Sequence, residues 1–246
     1  MPVQILMPMG GLGSRFTAAG YKTPKPLIDV DGKPMFMRAL DSFSPLADLI
    51  NIFVLRQDQI DAYRIDQQIR MTLPDARFAA LTTDTRGAVE SCLLAKDLID
   101  DALPLIVADC DIYFQSQAYF EKIRAGGFDG LLLTFKANDP RYSYVEIDES
   151  GHALRTAEKV VISDHAILGG YYFANGKLFK ELAREFVGQP LPEGLKEYFV
   201  SHLFNMLIGR NGTVGTADVE VMHIFGTPEE LSAYQNRSQS REGEKP

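Results

Sequence analysis

Short apolar runs alternate with segments of helical spacing over the first 115 residues. Val3–Met7 runs into Pro8 and predicts a buried strand, and the Gly-rich stretch 9–20 predicts a loop. Leu27–Val30 predicts a short strand closed by the turn residues Asp31-Gly32. Pro34 suits a first helical turn, so Met35–Phe43 is expected to be helical and to stop near Pro45. Ile50–Leu55 and Arg77–Leu81 are strand-like. Between them, Asp58–Leu73 carries Ile60, Tyr63, Ile65 and Ile69 at helical spacing before Pro74. Gly87–Ile99 predicts a helix and Leu103–Ala108 a strand. This alternation implies right-handed crossovers and a parallel sheet covered on both faces.

The second half is more mixed. Gly130–Lys136, Tyr144–Ile147 and Ile167–Phe173 predict strands, and Lys177–Phe186 and Leu195–Ile208 predict helices. A last strand is expected near Val219–Met222, then a short helix over Glu229–Tyr234, with a polar, frayed end from Gln235. No internal repeat and no linker divides the chain. The expectation is one α/β domain over 1–235, with a first half to 115, a second half over 116–235, and a polar tail over 236–246.

Composition narrows this picture. At 246 residues and 46% apolar, the chain has ample core, and two cysteines exclude a disulfide framework. Reduced thiols and an N-terminus without basic residues point to a cytoplasmic protein. No apolar run reaches the ~20 residues of a membrane helix. A net charge of −8 argues against a general nucleic-acid binder. Residues 1–40 nevertheless carry +3, from Arg15, Lys22, Lys25, Lys33 and Arg38 against Asp29 and Asp31. A local positive region in an acidic chain suits a small anion.

The candidate chemistry sits in that region. Met9-Gly10-Gly11-Leu12-Gly13-Ser14-Arg15 directly follows the first strand, where open α/β sheets bind ligands. Its glycines let successive N–H groups approach phosphate oxygens. Phe16 in place of a third glycine excludes the dinucleotide fingerprint, and the lack of G-K-[ST] excludes a P-loop. Pro24-Lys25-Pro26 holds an ammonium on a stiff backbone; taken alone it reads sooner as a rigid surface turn.

Gly-Gly-Leu-Gly-Ser-Arg, then Pro-Lys-Pro-Leu, then Gly-Lys-Pro-Met strongly resembles the opening of the sugar-phosphate nucleotidylyltransferases, also called sugar-nucleotide pyrophosphorylases. Later segments resemble that family in order: Arg86-Gly87-Ala88-Val89, Asp109-Cys110-Asp111, Glu158-Lys159 with Gly169-Gly170-Tyr171-Tyr172, Glu197–Ser201 and Gly226–Leu231. The resemblance implies a Rossmann-like three-layer α/β/α sandwich with a mixed, mostly parallel central sheet. It implies transfer of a nucleotidyl group from a nucleoside triphosphate to a sugar 1-phosphate or another phosphorylated small molecule, with release of pyrophosphate, for cell-surface polysaccharide precursors.

By the same match, Arg15 and Lys25 are the expected catalytic residues. Met9, Gly10, Gly11, Gly13, Ser14, Thr82 and Gly87 are expected to bind the nucleotide, and Glu158, Lys159 and Gly170 the acceptor. Asp111, with Asp109 on the same side of an extended strand, is the expected Mg²⁺ site. Thr82 stands where many uridine- and thymidine-using members carry Gln, so the expected triphosphate is CTP or UTP, with cytidine gaining. Ile224 stands where many members place a second metal-binding Asp, leaving His223 or Asp218 as substitutes, or Asp111 without a partner. Two other classes remain at this point. Asp109-x-Asp111 has the spacing of a metal-dependent glycosyltransferase, and Ile224 fits a non-catalytic nucleotide-binding homologue. A homo-oligomer is left open; a nucleic-acid or membrane partner is not expected.

Overall fold

The computed structural model describes residues 1–242. The first half runs β1 (Val3–Met9), α1 (Ser14–Ala18), β2 (Asp29–Val30), β3 (Lys33–Pro34), α2 (Met35–Leu40), β4 (Leu49–Arg56), α3 (Gln57–Tyr63), α4 (Ile65–Thr72), β5 (Arg77–Leu81), α5 (Ala88–Leu93) and β6 (Leu105–Ala108). Next come β7 (Ile112–Gln115), α6 (Gln117–Ala125), β8 (Gly130–Lys136), β9 (Ser143–Ile147), β10 (Ala153–Glu158), β11 (His165–Phe173) and α7 (Gly176–Val187). The described chain closes with α8 (Val200–Gly209), β12 (Val214–Asp218), β13 (Val221–Ile224) and α9 (Pro228–Glu242).

One nine-stranded sheet draws on both halves of the sequence. It is parallel through β5, β4, β1 and β6, antiparallel around β11, and parallel again between β8 and β12. The mixed sheet between two helical layers is the expected fold. Alternate residues of β1 explain the layering. Val3, Ile5 and Met7 pack with Phe36 of α2, Ile69 of α4 and Phe120 of α6, whereas Leu6 packs with Val89 of α5, Phe179 of α7 and Phe204 of α8. Gln4 is fully buried on the second face without loss, because its amide donates to the Asp100 and Leu103 carbonyls and accepts from Asp100 N–H.

The sheet forks at β11. The C-terminal part of this strand, Gly170–Phe173, pairs with β6, and Ala166 near its N-terminal end pairs with Tyr144 of β9. The register with β8 shifts between Leu168 and Tyr172. The edge of β11 therefore changes partners at Gly169-Gly170, opposite the end of β6, and leaves an opening there. A smaller core of Phe16, Ile28, Val30, Met35, Phe225 and Leu231 ties α1, β2, α2 and the start of α9 together above that opening.

Several expected boundaries move. Met9 completes β1, and Ser14 opens a short helix inside the expected loop. The expected helix 58–73 breaks into two at Arg64, which takes φ +52°. The helix expected over 87–99 stops at Leu93 and continues as tight turns, with Ala95 and Leu98 N–H bonded three residues back. The helix expected from Leu195 begins at Val200, because 197–199 is held against Arg86–Val89 instead. The frayed end expected from Gln235 is helical through Glu242, and 243–246 lie outside the described residues.

Candidate nucleotide and phosphate site

The loop after β1 is shaped by what its glycines exclude. A Cβ on Gly10 would stand 2.7 Å from Leu81 Cδ2. Gly13 takes the left-handed φ +62°, and a Cβ there would lie 3.2 Å from Lys25 Cβ. The loop thus closes onto the stem of Lys25. The N–H groups of Gly11 and Leu12 have no acceptor among the described residues.

Lys25 begins a single 3₁₀ turn, Lys25–Leu27, entered through Pro24 at φ −53°. The two flanking prolines give that turn its rigidity, as expected from the sequence. The ammonium reaches across the opening to Asp111, with Nζ 2.5 Å from Oδ2, and both side chains are about one-fifth exposed. It also stands 5.9 Å from the centre of the Phe16 ring. Burial works against the charge on Lys25, but Asp111, Cys110 and Asp109 together outweigh it and raise its pKa. The ammonium therefore stays charged through neutral pH.

Asp109 lies across the fork from Gly169. A Cβ on Gly169 would overlap the Asp109 carboxylate, so only glycine lets β11 pass at this point. Burial, then the charge of Asp111, pushes the Asp109 pKa up against the pull of Lys25, and Glu158 adds to the rise. Glu158 closes β10 and accepts hydrogen bonds from the hydroxyls of Ser143 and, at 2.9 Å, Ser201. Lys159 follows at φ +56°, with its ammonium 4.7 Å from the Phe199 ring centre. Gly170, expected at the acceptor, is buried beneath Leu133 and Phe114, and its carbonyl accepts from Tyr119 Oη at 2.9 Å, whereas a Cβ on Gly169 would point at Asp109.

On the other side, a cleft of about 450 Å³ is lined by Gly10, Gly11, Gly87, Ser91, Asp109 and Glu197. Gly87 takes φ +139°, and a Cβ there would stand 2.5 Å from Tyr198 N. Tyr198 N–H donates to the Arg86 carbonyl at 2.9 Å, and Val89 N–H donates to the Tyr198 carbonyl at 3.1 Å. Thr82 is exposed just past β5 and is not part of this lining; Asp84 and Thr85 are. Leu12 separates this cleft from a second one lined by Gly13, Tyr21, Lys22 and Lys25.

Arg15 is exposed on α1 and, with Ser14, lies outside the ion pair. It faces the start of α9, where the Glu229 carboxylate is held below its ordinary range by a backbone N–H and the Thr227 hydroxyl, with a smaller contribution from Arg15. Two residues gained from the structure sit beside Asp111. A Cβ on Gly226 would be 3.3 Å from Asp111 Oδ2 and 3.2 Å from Glu230 Oε2, so this glycine keeps a gap open between two carboxylates. Glu230 also pairs with Arg141 at 3.0 Å. Of the substitutes considered for the missing Asp, His223 stacks on Tyr113 and contacts Tyr234, and Asp218 accepts from the Thr134 hydroxyl at 2.6 Å.

Among the described residues no group of three His, Cys, Asp or Glu forms a preformed metal cage. The oxygen-only donors Asp109 and Asp111, and the gap kept by Gly226, fit a hard cation that takes one or two carboxylates and completes its shell from phosphate and water.

The fold is a Rossmann-like α/β sandwich with a glycine loop at the end of its first strand. The chain belongs to the family of the MobA-like NTP transferase domain, whose model matches residues 5–171. It is 25% identical over 211 residues to the mannose-1-phosphate guanylyltransferase catalytic subunit beta of Dictyostelium discoideum, covering 80% of this chain and 55% of that protein. It is 24% identical over 183 residues to mannose-1-phosphate guanyltransferase beta-A of Xenopus laevis, covering 70% and 50%. The chain thus spans about half the length of these curated relatives. A nucleoside-diphosphate-sugar pyrophosphorylase from Vibrio cholerae RC9 superposes with a TM-score of 0.82 at 25% identity, covering 94% of this chain and 99% of that one. An inositol-1-phosphate CTP transferase from T. maritima shares the fold at a TM-score of 0.75 and 15% identity, covering 98% and 96%. Among the described residues no helix is long and apolar enough to cross a membrane.

Proposed function

We propose that this chain transfers a nucleotidyl group from a nucleoside triphosphate to a phosphorylated small molecule, of which a sugar 1-phosphate is the leading class. The observation that carries this reading is the ion pair of Lys25 with Asp111, seated directly beneath the glycine loop. A phosphate oxygen of the acceptor attacks the α-phosphorus. The bond from that phosphorus to the bridging oxygen breaks, and pyrophosphate leaves with both electrons of the bond.

Catalysis of such a step is positioning and charge stabilisation. The free N–H groups of Gly11 and Leu12 face the triphosphate. Lys25, held charged, stabilises the developing negative charge at the α-phosphate. Arg15, on the neighbouring helix, clamps the β- and γ-phosphates. Asp111 and Asp109 would hold Mg²⁺, which would supply charge screening and alignment of the phosphates. Glu158 and Lys159 at the end of β10 take the acceptor, Lys159 through its phosphate. The relatives' names, mannose-1-phosphate guanylyltransferase and nucleoside-diphosphate-sugar pyrophosphorylase, support this class of reaction and of acceptor. Nucleotide-linked sugars of this kind feed cell-surface polysaccharide assembly.

The test is a matrix of four nucleoside triphosphates against a panel of phosphorylated metabolites, read by pyrophosphate release. Release in at least one pairing, dependent on both partners and on Mg²⁺, is expected. Release of nucleoside diphosphate from a nucleotide-sugar, or triphosphate binding without turnover across the panel, overturns the reading.

A further inference from the structure

The wall of the 450 Å³ cleft carries a carboxylate that the reaction above does not use. Glu197 lies in the segment zipped to Arg86–Val89 by the two Tyr198 backbone bonds. Its Cβ is 3.1 Å from the point a Gly87 side chain would occupy, so it emerges into the cleft beside Gly87. Of the other polar side chains of this wall, Asp109 is assigned above to the Mg²⁺ site and the rest are engaged. Asp84 is paired with Arg56 at 2.7 Å, and the hydroxyls of Thr85 and Ser91 bond one another at 2.6 Å. Glu197 has no hydrogen bond or ion pair among the described residues, and its side chain is exposed to the cleft.

We propose that Glu197 selects the nucleobase, favouring one that offers two adjacent N–H donors along one edge. An ionised carboxylate accepts only, through two oxygens spaced for a bidentate pair. Guanine matches it with N1–H and the 2-amino group. Cytosine and adenine present one amino group flanked by a ring acceptor. Uracil and thymine present a single ring N–H between two carbonyl oxygens, whose lone pairs repel the carboxylate. A group left facing a base that lacks its donors costs affinity, which is what makes such a site selective. The proposal rests on the nucleotidyl-transfer reading and replaces the CTP or UTP expected from the sequence with GTP.

The test is calorimetric titration of the full chain with GTP, ITP, CTP and UTP in Mg²⁺, without acceptor, for the natural protein, Glu197→Gln and Glu197→Ala. ITP keeps the guanine ring but lacks the 2-amino group. The natural protein is expected to bind GTP roughly ten- to hundredfold more tightly than ITP, CTP or UTP, the range of one good bidentate contact. Both variants should lose that preference at unchanged melting temperature, and Glu197→Gln should gain on UTP because its amide can donate. Equal affinity for GTP and ITP in the natural protein, tighter binding of CTP or UTP than of GTP, or a preference retained in Glu197→Ala overturns the proposal. Triphosphate binding without base preference refutes Glu197 alone. No binding of any triphosphate refutes the nucleotidyl-transfer reading with it.

Discussion

Lys25 shows how a single residue becomes legible from sequence. Proline on both sides fixes its backbone, a glycine loop precedes it, and Asp111 ends an apolar run. The structure brings all three together, with the ammonium 2.5 Å from the carboxylate. On the proposed mechanism, Lys25→Ala and Arg15→Ala each lower turnover at least about 100-fold while the fold persists, because both act on transition-state charge. Steady-state kinetics with circular dichroism on both variants checks this, and unchanged turnover would remove the two residues from the chemistry. Other residues of the site lay inside segments of family resemblance, but their individual roles left no sequence signal. Gly169 matters because Asp109 packs on it, and Glu230 because Gly226 leaves space beside Asp111. Each depends on a contact across more than 50 residues of chain or on a gap no local pattern encodes. Gly169 and Gly170 are identical in sequence, and only the strand register separates the one at the site from the one in the core.

At the scale of elements, strands with unbroken apolar runs were readable, and those with mixed patterns were not. β1, β4, β6 and β8 are mostly buried and were expected close to their observed ends. β10 (Ala-Leu-Arg-Thr-Ala-Glu) and β12 (Val-Gly-Thr-Ala-Asp) lack such runs; the first is an edge strand and the second owes its place to pairing with β8. α6 hid for a different reason, since its polar face dominates and Ser116, which accepts from Tyr119 N–H, is its start signal. The segment 195–199 looked helical but is held by Arg86 and Val89 instead. That pairing makes Gly87→Ala a sharp probe. At φ +139°, with a Cβ only 2.5 Å from Tyr198 N, alanine should cost about 1–3 kcal/mol and weaken triphosphate binding together. Urea unfolding and nucleotide titration measure the two effects.

α7 and α8 are joined in part by His202, which stacks on Phe186 with ring centres 4.5 Å apart. Burial holds the His202 imidazole below its ordinary pKa. As pH falls through about 6.5, the ordinary histidine value, the unfolded chain takes up this proton before the folded one does. Stability from this group is thus complete above that pH and is lost as pH falls toward the folded value. Urea midpoints at pH 7.5 and 5.5 should therefore fall less in His202→Gln than in the natural protein; an equal fall would assign the acid sensitivity to other groups.

The described chain is organised around one nine-stranded sheet whose β11 changes partners, and the candidate site occupies the opening this leaves. The first half could be read from sequence because strand–helix alternation repeats local signals. The fork could not, because it arises from pairing β11 with β6, β8 and β9, which are scattered from residue 105 to 147. The third small core then brings the loop, the lysine turn and the start of α9 to that opening. Charge follows the same plan, with the positive N-terminal 40 residues set against Asp109 and Asp111 just past β6 and the carboxylates of β10 and α9. The most direct measurement of the central claim follows the α-phosphate itself. With a triphosphate labelled at the α-phosphorus, Mg²⁺ and a phosphorylated acceptor, the label should move into a nucleoside-diphospho-linked product while the released pyrophosphate stays unlabelled, and Lys25→Ala should abolish the transfer. Label remaining in triphosphate across all acceptors, or transfer undiminished in Lys25→Ala, would contradict the account.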